Sequence, residues 1–408
     1  MRYVFASIYL ASLSIAVSVA QADDHGAEEA FRAALVRASK QHQLPSISAA
    51  IATRQGVIWT GAVGYANLET HSRANAAYLY GIGSITKTFV ACIVERLVDQ
   101  GQLSLDATAA DILGPEVVAG IPNADRATIR QLLNHTSGIP TWEFDAEWIR
   151  KGRGAESIPQ RLWGKAETLD YVRGSRHPAT NAPGTSYAYA NTNYTLLGLV
   201  VEKITSRDIV DVLHNDLLEP LGLADIRLEG FEPIDPSRIP ARYHYDTTEF
   251  RRTAGLSPAF HLAAPGLIDV SRSNLSTEWT AGGLLATARD LAAFTLALRD
   301  GRVVAPATLA RMVSFAPTGE AGEEVGQGLF HERLADDWLI GYDGGVLGFG
   351  AVMGWLEHGD LVVVIMTNVG MMHAGNDAWY PLQLVRSKAF VRAARRLALE
   401  LSPRSAAP

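Results

Sequence analysis

Gly81-Ile82-Gly83-Ser84-Ile85-Thr86-Lys87-Thr88-Phe89 is the segment on which the reading of this chain turns. It opens a run in which Phe89, Val90, Ile93, Val94, Leu97 and Val98 recur at the i, i+3, i+4 spacing of a buried helical stripe. A helix over Thr86–Leu103 is predicted, with Gly101 placed to close it in a left-handed cap. A serine hydroxyl attacks carbonyl carbon only when a neighbouring base takes its proton. Residues three apart share one face of a helix, so Lys87 can reach the Ser84 oxygen. Burial lowers a lysine pKa far enough to make the amine a base. Ser84 also stands at the start of the helix, where free backbone N–H groups favour developing negative charge, and Gly81 and Gly83 allow a strand to come close. The match is short. An N-capping serine followed by a solvated lysine reads equally well from these residues alone.

A second stretch changes that balance. Pro183-Gly184-Thr185-Ser186-Tyr187-Ala188-Tyr189-Ala190-Asn191-Thr192-Asn193-Tyr194 precedes a helical run. Tyr189 and Asn191 stand two apart, so their side chains can project together from a loop. A phenol beside Lys87 can relay protons, and an amide can hold the lysine or a substrate carbonyl. The cations of the chain are mostly arginine; its lysines are Lys40, Lys87, Lys151, Lys165, Lys203 and Lys388. A lysine inside a motif is therefore less of a background event.

Together these segments resemble the serine β-lactamase-related hydrolases, which include class C β-lactamases, D-alanyl-D-alanine carboxypeptidases and related esterases. The resemblance extends through Thr128-Ile129-Arg130-Gln131-Leu132-Leu133-Asn134-His135-Thr136-Ser137-Gly138 and Ala281-Gly282-Gly283-Leu284-Leu285-Ala286-Thr287. Ser-x-x-Lys is the nucleophile motif of that group. The resemblance implies Ser84 as nucleophile, Lys87 as its proton acceptor or electrostatic partner, Tyr189 as general acid or base, and Asn191 as a positioning group. Lys87 and Tyr189 titrate as a pair, and either could take the first proton.

One motif departs from the family pattern. Relatives place Lys or His on a late strand, one residue ahead of glycine; here the matching stretch is Gly341-Tyr342-Asp343-Gly344-Gly345-Val346-Leu347-Gly348-Phe349. Gly344 and Gly345 still let the strand approach a substrate, so that the N–H groups of Gly345 and Ser84 can form an oxyanion hole. Tyr342 stands where a cation would bind a substrate carboxylate, and a neutral phenol is the weaker donor. Hydrolysis of an ester or amide is less affected than recognition of β-lactams or terminal D-Ala. The expected activity is therefore an exported esterase or amidase acting through an acyl-Ser84 intermediate. The alternatives are a D-Ala-D-Ala carboxypeptidase or weak class C-type β-lactamase, and a non-catalytic penicillin-recognising sensor.

The remaining sequence sets the frame. The chain has 408 residues, enough for one or two domains, and 48% apolar with 19% charged residues is a globular balance. A net charge of −7 speaks against nucleic acid or an anionic membrane as partner. Arg2, the apolar run Val4 to Val19 and the small residues of Ala20-Gln21-Ala22 read as a signal peptide over 1–22, which predicts a secreted or periplasmic protein. No later stretch has the apolar length of a membrane span.

Helical spacing marks Ala27–Gln43, Thr195–Ile204, Ile209–Leu217 and Trp379–Leu401. Hairpins are predicted for Ser46–Thr53 with Val57–Gly64, and for Phe349–Leu356 with Leu361–Thr367. The expected fold is α/β plus all-α: an antiparallel sheet built from both termini (23–105 and 270–408) and flanked by helices, with a mainly helical insertion over 106–269 and no strand ladder there.

Other candidates fall away. The segment before Thr88 looks like a phosphate loop but has Thr86 where that loop has glycine, and Gly184-Thr185-Ser186 ends in Ala188, so the Gly-x-Ser-x-Gly elbow is incomplete. His331-Glu332 lacks a second histidine for zinc. His135 reads as a structural histidine in a helix-end turn, Cys92 as core packing, and Trp142, Trp148 and Trp163 as core aromatics with a substrate-gating wall as the alternative. No metal or cofactor is expected; the expected partner is a small ester, amide or peptide substrate.

Overall fold

The computed structural model describes residues 26–174, 177–375 and 378–402; the signal peptide expected over 1–22 lies outside them. A nine-stranded antiparallel sheet organises the molecule, in the order Ala316–Pro317, Glu323–Val325, Phe330–Arg333, Trp338–Val346, Phe349–Leu356, Val362–Thr367, Ser46–Thr53, Gly56–Asn67, Ser72–Arg73. Ser46–Thr53 pairs with Gly56–Asn67 on one side and with Val362–Thr367 on the other, Ile47 opposite Thr367 and Ala52 opposite Val362. The sheet is thus built from both ends of the chain.

Its inner strands are apolar because both faces are covered. Along Ser46–Thr53 every residue is buried. Ile47, Ala49 and Ile51 join one core, whereas Ala50 and Ala52 join the other. Val362, Val364 and Met366 alternate with Val363 and Ile365 in the same way, the period-two projection of a strand buried on both sides. The terminal helices Ala27–Gln41 and Lys388–Leu401 cover the first face. Phe31, fully buried, packs edge-on against Trp59 at 5.0 Å and meets the tilted ring of Phe390 at 5.2 Å, and the Ala27 N–H donates to Glu400 Oε2 at 2.7 Å. The second face carries the helices Thr86–Asp99 and Ala288–Arg299, with Phe89 and Phe294 stacked at 3.8 Å.

Local signals behaved as their chemistry dictates. The helix after Ser84 runs Thr86–Asp99, and Gly101 follows it at φ +70°. Thr128 caps Ile129–Leu133 through a capping box with Gln131. Three expectations need correction. The closing helix is two helices, Pro381–Val385 and Lys388–Leu401, Pro381 opening the first where its missing N–H costs nothing. The run after Ile209 is α-helical only to Val212 and then widens into a π-helical turn over Leu213–Leu218.

The third correction concerns 106–269, which does contain strands. Tyr243–Tyr245, His261–Ala264 and Leu267–Asp269 form a small sheet with Val369–Gly370, and Ile226–Leu228 pairs with Leu284–Ala286, which in turn pairs with Tyr80–Gly81. These strands are two to four residues long and take most of their definition from distant partners, so no periodicity announces them. Among the described residues, no helix is long and apolar enough to cross a membrane.

Phe31 ties the first helix to the last. Phe31→Ala is expected to cost about 3–5 kcal/mol, from lost burial and the cavity left behind, read as a lower denaturation midpoint, with the rate per folded molecule unchanged.

Candidate active site

The turn that carries Ser84 is held by backbone packed on backbone. Gly83, Ser84 and Ile85 form a 3-10 turn just ahead of the helix Thr86–Asp99, so Ser84 sits one turn earlier than a simple helix start. Gly83 has φ +54°, and a Cβ there would lie 2.7 Å from the backbone nitrogen of Gly345. A Cβ on Gly344 would lie 2.0 Å from the Ile82 carbonyl oxygen and 2.8 Å from the Ser84 nitrogen. Glycine is required at both points, and its absence of side chain brings the Ser84 and Gly345 amides to one contact. On its other flank Gly345 abuts the thioethers of Met371 and Met372; a Cβ there would lie 2.8 Å and 3.0 Å from their sulfurs.

Three of the expected residues converge on one hydroxyl. Ser84 Oγ lies 2.6 Å from the Tyr189 hydroxyl, and Lys87 Nζ donates to Ser84 Oγ at 3.0 Å. Lys87 is completely buried and donates a second bond, 2.6 Å, to the Ala281 carbonyl. That carbonyl belongs to the short turn Trp279–Gly282, in which Trp279 adopts φ +39°, a costly backbone for a bulky residue. The Ala281-Gly282-Gly283 motif therefore acts through its main chain.

Burial brings the Lys87 pKa down to about 7, against the opposing charges of Glu143, Glu278 and Asp343. Its ammonium also faces the Tyr189 ring at 5.0 Å and the Tyr194 ring at 5.6 Å. Burial, reinforced by the charge of Glu143, holds the Tyr189 phenol well above its ordinary range, with hydrogen bonds to Ser84 and Tyr342 acting the other way. At neutral pH a substantial share of the amine is therefore unprotonated, beside a neutral phenol. An amine able to take a proton and a phenol able to pass one flank the same oxygen.

Asn191 and Tyr342 are placed differently from expectation. Asn191 does not project from a loop: it is the first residue of the helix Asn191–Thr205, because Thr141 Oγ1 already accepts its backbone N–H at 3.1 Å. Its side-chain nitrogen donates to Glu143 Oε2 at 2.7 Å, and its side-chain oxygen is buried without a partner. Tyr342, only 4% exposed, packs edge-on against Phe330 at 4.8 Å. Its hydroxyl bonds Tyr189 and lies 3.5 Å from His135 Nε2. The Tyr342 ring fills the pocket beside Phe330, with its hydroxyl turned toward Tyr189 and His135.

His135 is the structural residue its turn suggested. It is buried at φ +57°, its Nδ1 accepts the Ala190 N–H at 3.2 Å, and its ring stacks on Tyr189 at 4.4 Å. Burial, with the charge of Lys87, keeps it neutral. Trp142 and Trp148 are core residues, both fully buried.

Sequence reasoning missed Glu143, Glu278 and Arg153, all buried and grouped behind Lys87 and Asn191. A signal was available: Glu143 follows Trp142 and Glu278 precedes Trp279, and a carboxylate next to a large core residue is buried only with a partner.

Known proteins resemble this chain in sequence and in fold. Esterase EstB of Burkholderia gladioli is 28% identical over 339 residues, covering 79% of this chain and 80% of that protein. Penicillin-binding protein 4 of Amycolatopsis lactamdurans is 32% identical over 183 residues, covering 45% of this chain and 44% of the relative. A D-stereospecific amidohydrolase from a Streptomyces species superimposes with a TM-score of 0.72 at 26% identity, over 90% of this chain and 98% of that one. With the family model described as Beta-lactamase matching residues 31–385, this chain belongs to the beta-lactamase family.

Proposed function

We propose that this serine hydrolase cleaves esters or amides that carry no essential carboxylate, through an acyl-enzyme on Ser84, and that it is exported after loss of residues 1–22. The observation that carries the reading is the shared oxygen: Ser84 Oγ within hydrogen-bond reach of both Lys87 and Tyr189. Lys87, in its unprotonated form, takes the hydroxyl proton as Oγ attacks the carbonyl carbon. The amides of Ser84 and Gly345 receive the oxyanion. Tyr189 delivers a proton to the leaving oxygen or nitrogen, the carbonyl–leaving group bond breaks, and an ester to Ser84 remains. Water then attacks that ester by the reverse proton path, releasing the acid and restoring the hydroxyl.

Substrate choice follows from the late strand. Tyr342 is turned inward, and the next residue, Asp343, is an acid held up to about 6 by burial and by Glu323. Tyr342 thus leaves a substrate carboxylate a neutral phenol at most in place of a cation, and Asp343 projects to the opposite face of the strand. Phe144 is 68% exposed and approaches His373, which follows the thioethers of Met371 and Met372 in the chain. That apolar rim suits an apolar acyl group. The names of the relatives, an esterase and an amidohydrolase, support the same class.

Ser84→Ala is expected to abolish turnover and fluorophosphonate labelling without lowering the melting temperature; full activity in that variant would end the proposal. Because the Lys87 pKa is lowered to about 7 and the base must be neutral, kcat/KM should fall below about pH 7 and level off above it. A p-nitrophenyl ester should be turned over faster than a D-Ala-D-Ala peptide or a chromogenic cephalosporin, with Tyr342→His shifting preference toward the last two. Faster peptide or cephalosporin turnover by the wild type would favour the carboxypeptidase or β-lactamase reading, and a permanent adduct with every substrate would favour a sensor.

A further inference from the structure

Three buried charges stand behind the catalytic group and have no part in the steps above. Glu143 is 4% exposed, Glu278 3% and Arg153 1%. Arg153 Nη2 donates to Glu278 Oε1 at 2.8 Å and stands 3.8 Å from Glu143 Oε1, while its Nε and Nη1 have no partner. Its guanidinium lies over Trp148 at 5.2 Å. As a stabilising device this is poorly made: two carboxylates share one guanidinium, and buried ion pairs seldom repay their desolvation even when every donor is used. A cluster kept at such a cost, next to a catalytic lysine, points to function.

Two features show what the function is. Glu143 Oε2 accepts from Asn191 Nδ2 at 2.7 Å. An ionised carboxylate only accepts, so it dictates which end of the Asn191 amide faces it, and Oδ1 is the atom left over, buried and unpartnered. The cluster is also one negative charge in excess when all three groups are ionised. The groups that face Lys87 are the carboxylates of Glu143, Glu278 and Asp343, the phenols of Tyr189 and Tyr194, and His135, which burial and Lys87 keep neutral. That excess negative charge, with the Asp343 carboxyl adding to it, favours the ammonium that Lys87 becomes on accepting the Ser84 proton.

We infer that Glu143, held beside the Arg153–Glu278 pair, is a positioning residue for acyl transfer: it fixes the atom that Asn191 presents and supplies the counter-charge to Lys87. The role rests on the serine hydrolase reading of Ser84. No bond to Glu143 forms or breaks; the proton passes from Ser84 Oγ to Lys87 Nζ while Glu143 stays ionised.

Two substitutions separate the two effects. Glu143→Gln keeps an acceptor for Asn191 but removes the charge, so the Lys87 ammonium is disfavoured. The acid limb of kcat/KM should move to lower pH by about half to one unit, with the plateau falling no more than about tenfold. Glu143→Asp keeps the charge but withdraws the acceptor by one methylene. Its limb should stay in place while the plateau falls about tenfold or more. Rates are normalised to sites titrated with a fluorophosphonate, so partial folding does not distort them. An unmoved limb in Glu143→Gln, a wild-type plateau in Glu143→Asp, changes confined to the melting temperature, or failure of both variants to fold would each overturn the inference by assigning Glu143 to the core. Full activity of Ser84→Ala would instead remove the hydrolase reading itself.

Discussion

The burial of one lysine governs this structure. An ammonium removed from water is expensive unless charges and acceptors replace the lost hydration, and Lys87 has no solvent exposure. The Ala281 carbonyl, the Ser84 hydroxyl, two tyrosine rings and three carboxylates surround it. They come from segments far apart in sequence: the turn that carries Ser84, the turn around Glu143, the helix opened by Asn191, the strained turn at Trp279 and the late strand. The environment is a compromise in which burial lowers the pKa and the carboxylates keep it from falling further. A lysine with more partners would stay charged, and one with fewer would be too weak a base.

The glycine contact between Ile82–Ser84 and Gly344–Gly345 is the second constraint, and it is purely steric. It lets the sheet's Trp338–Val346 strand and the Ser84 turn meet main chain to main chain. The chemistry therefore stands on the sheet, not on the loops around it, and the position of Ser84 relative to Gly345 is set by packed backbone.

Much of this was legible in the chain. The hairpins at Ser46–Thr53 and Phe349–Leu356 carry continuous apolar runs that only a doubly covered strand explains, and Ser84, Lys87 and Tyr189 were recognisable from residue type and spacing. What was hidden depends on partners distant in sequence. The strand Leu284–Ala286 exists because Tyr80–Gly81 and Ile226–Leu228 lie beside it. Asn191 opens a helix because Thr141, fifty residues earlier, takes its N–H. Tyr342 was visible as an anomaly, but its inward turn depends on the pocket made by His135, Tyr189 and Phe330. The Glu143, Arg153 and Glu278 group was hardest to see, since none of the three belongs to a motif.

The pairing of Ser46–Thr53 with Val362–Thr367, and of the first described helix with the last, has a consequence for how the molecule is made. The strand Ser46–Thr53, interior to the sheet, emerges early from the ribosome with one edge answered by its hairpin partner and the other bare until Val362–Thr367 has followed. Unsatisfied, apolar strand edges recruit strands from other chains, and contacts of such high sequence separation form slowly. The same closure that clasps the first described helix to the last leaves the growing chain with an apolar strand edge waiting for a partner more than three hundred residues away.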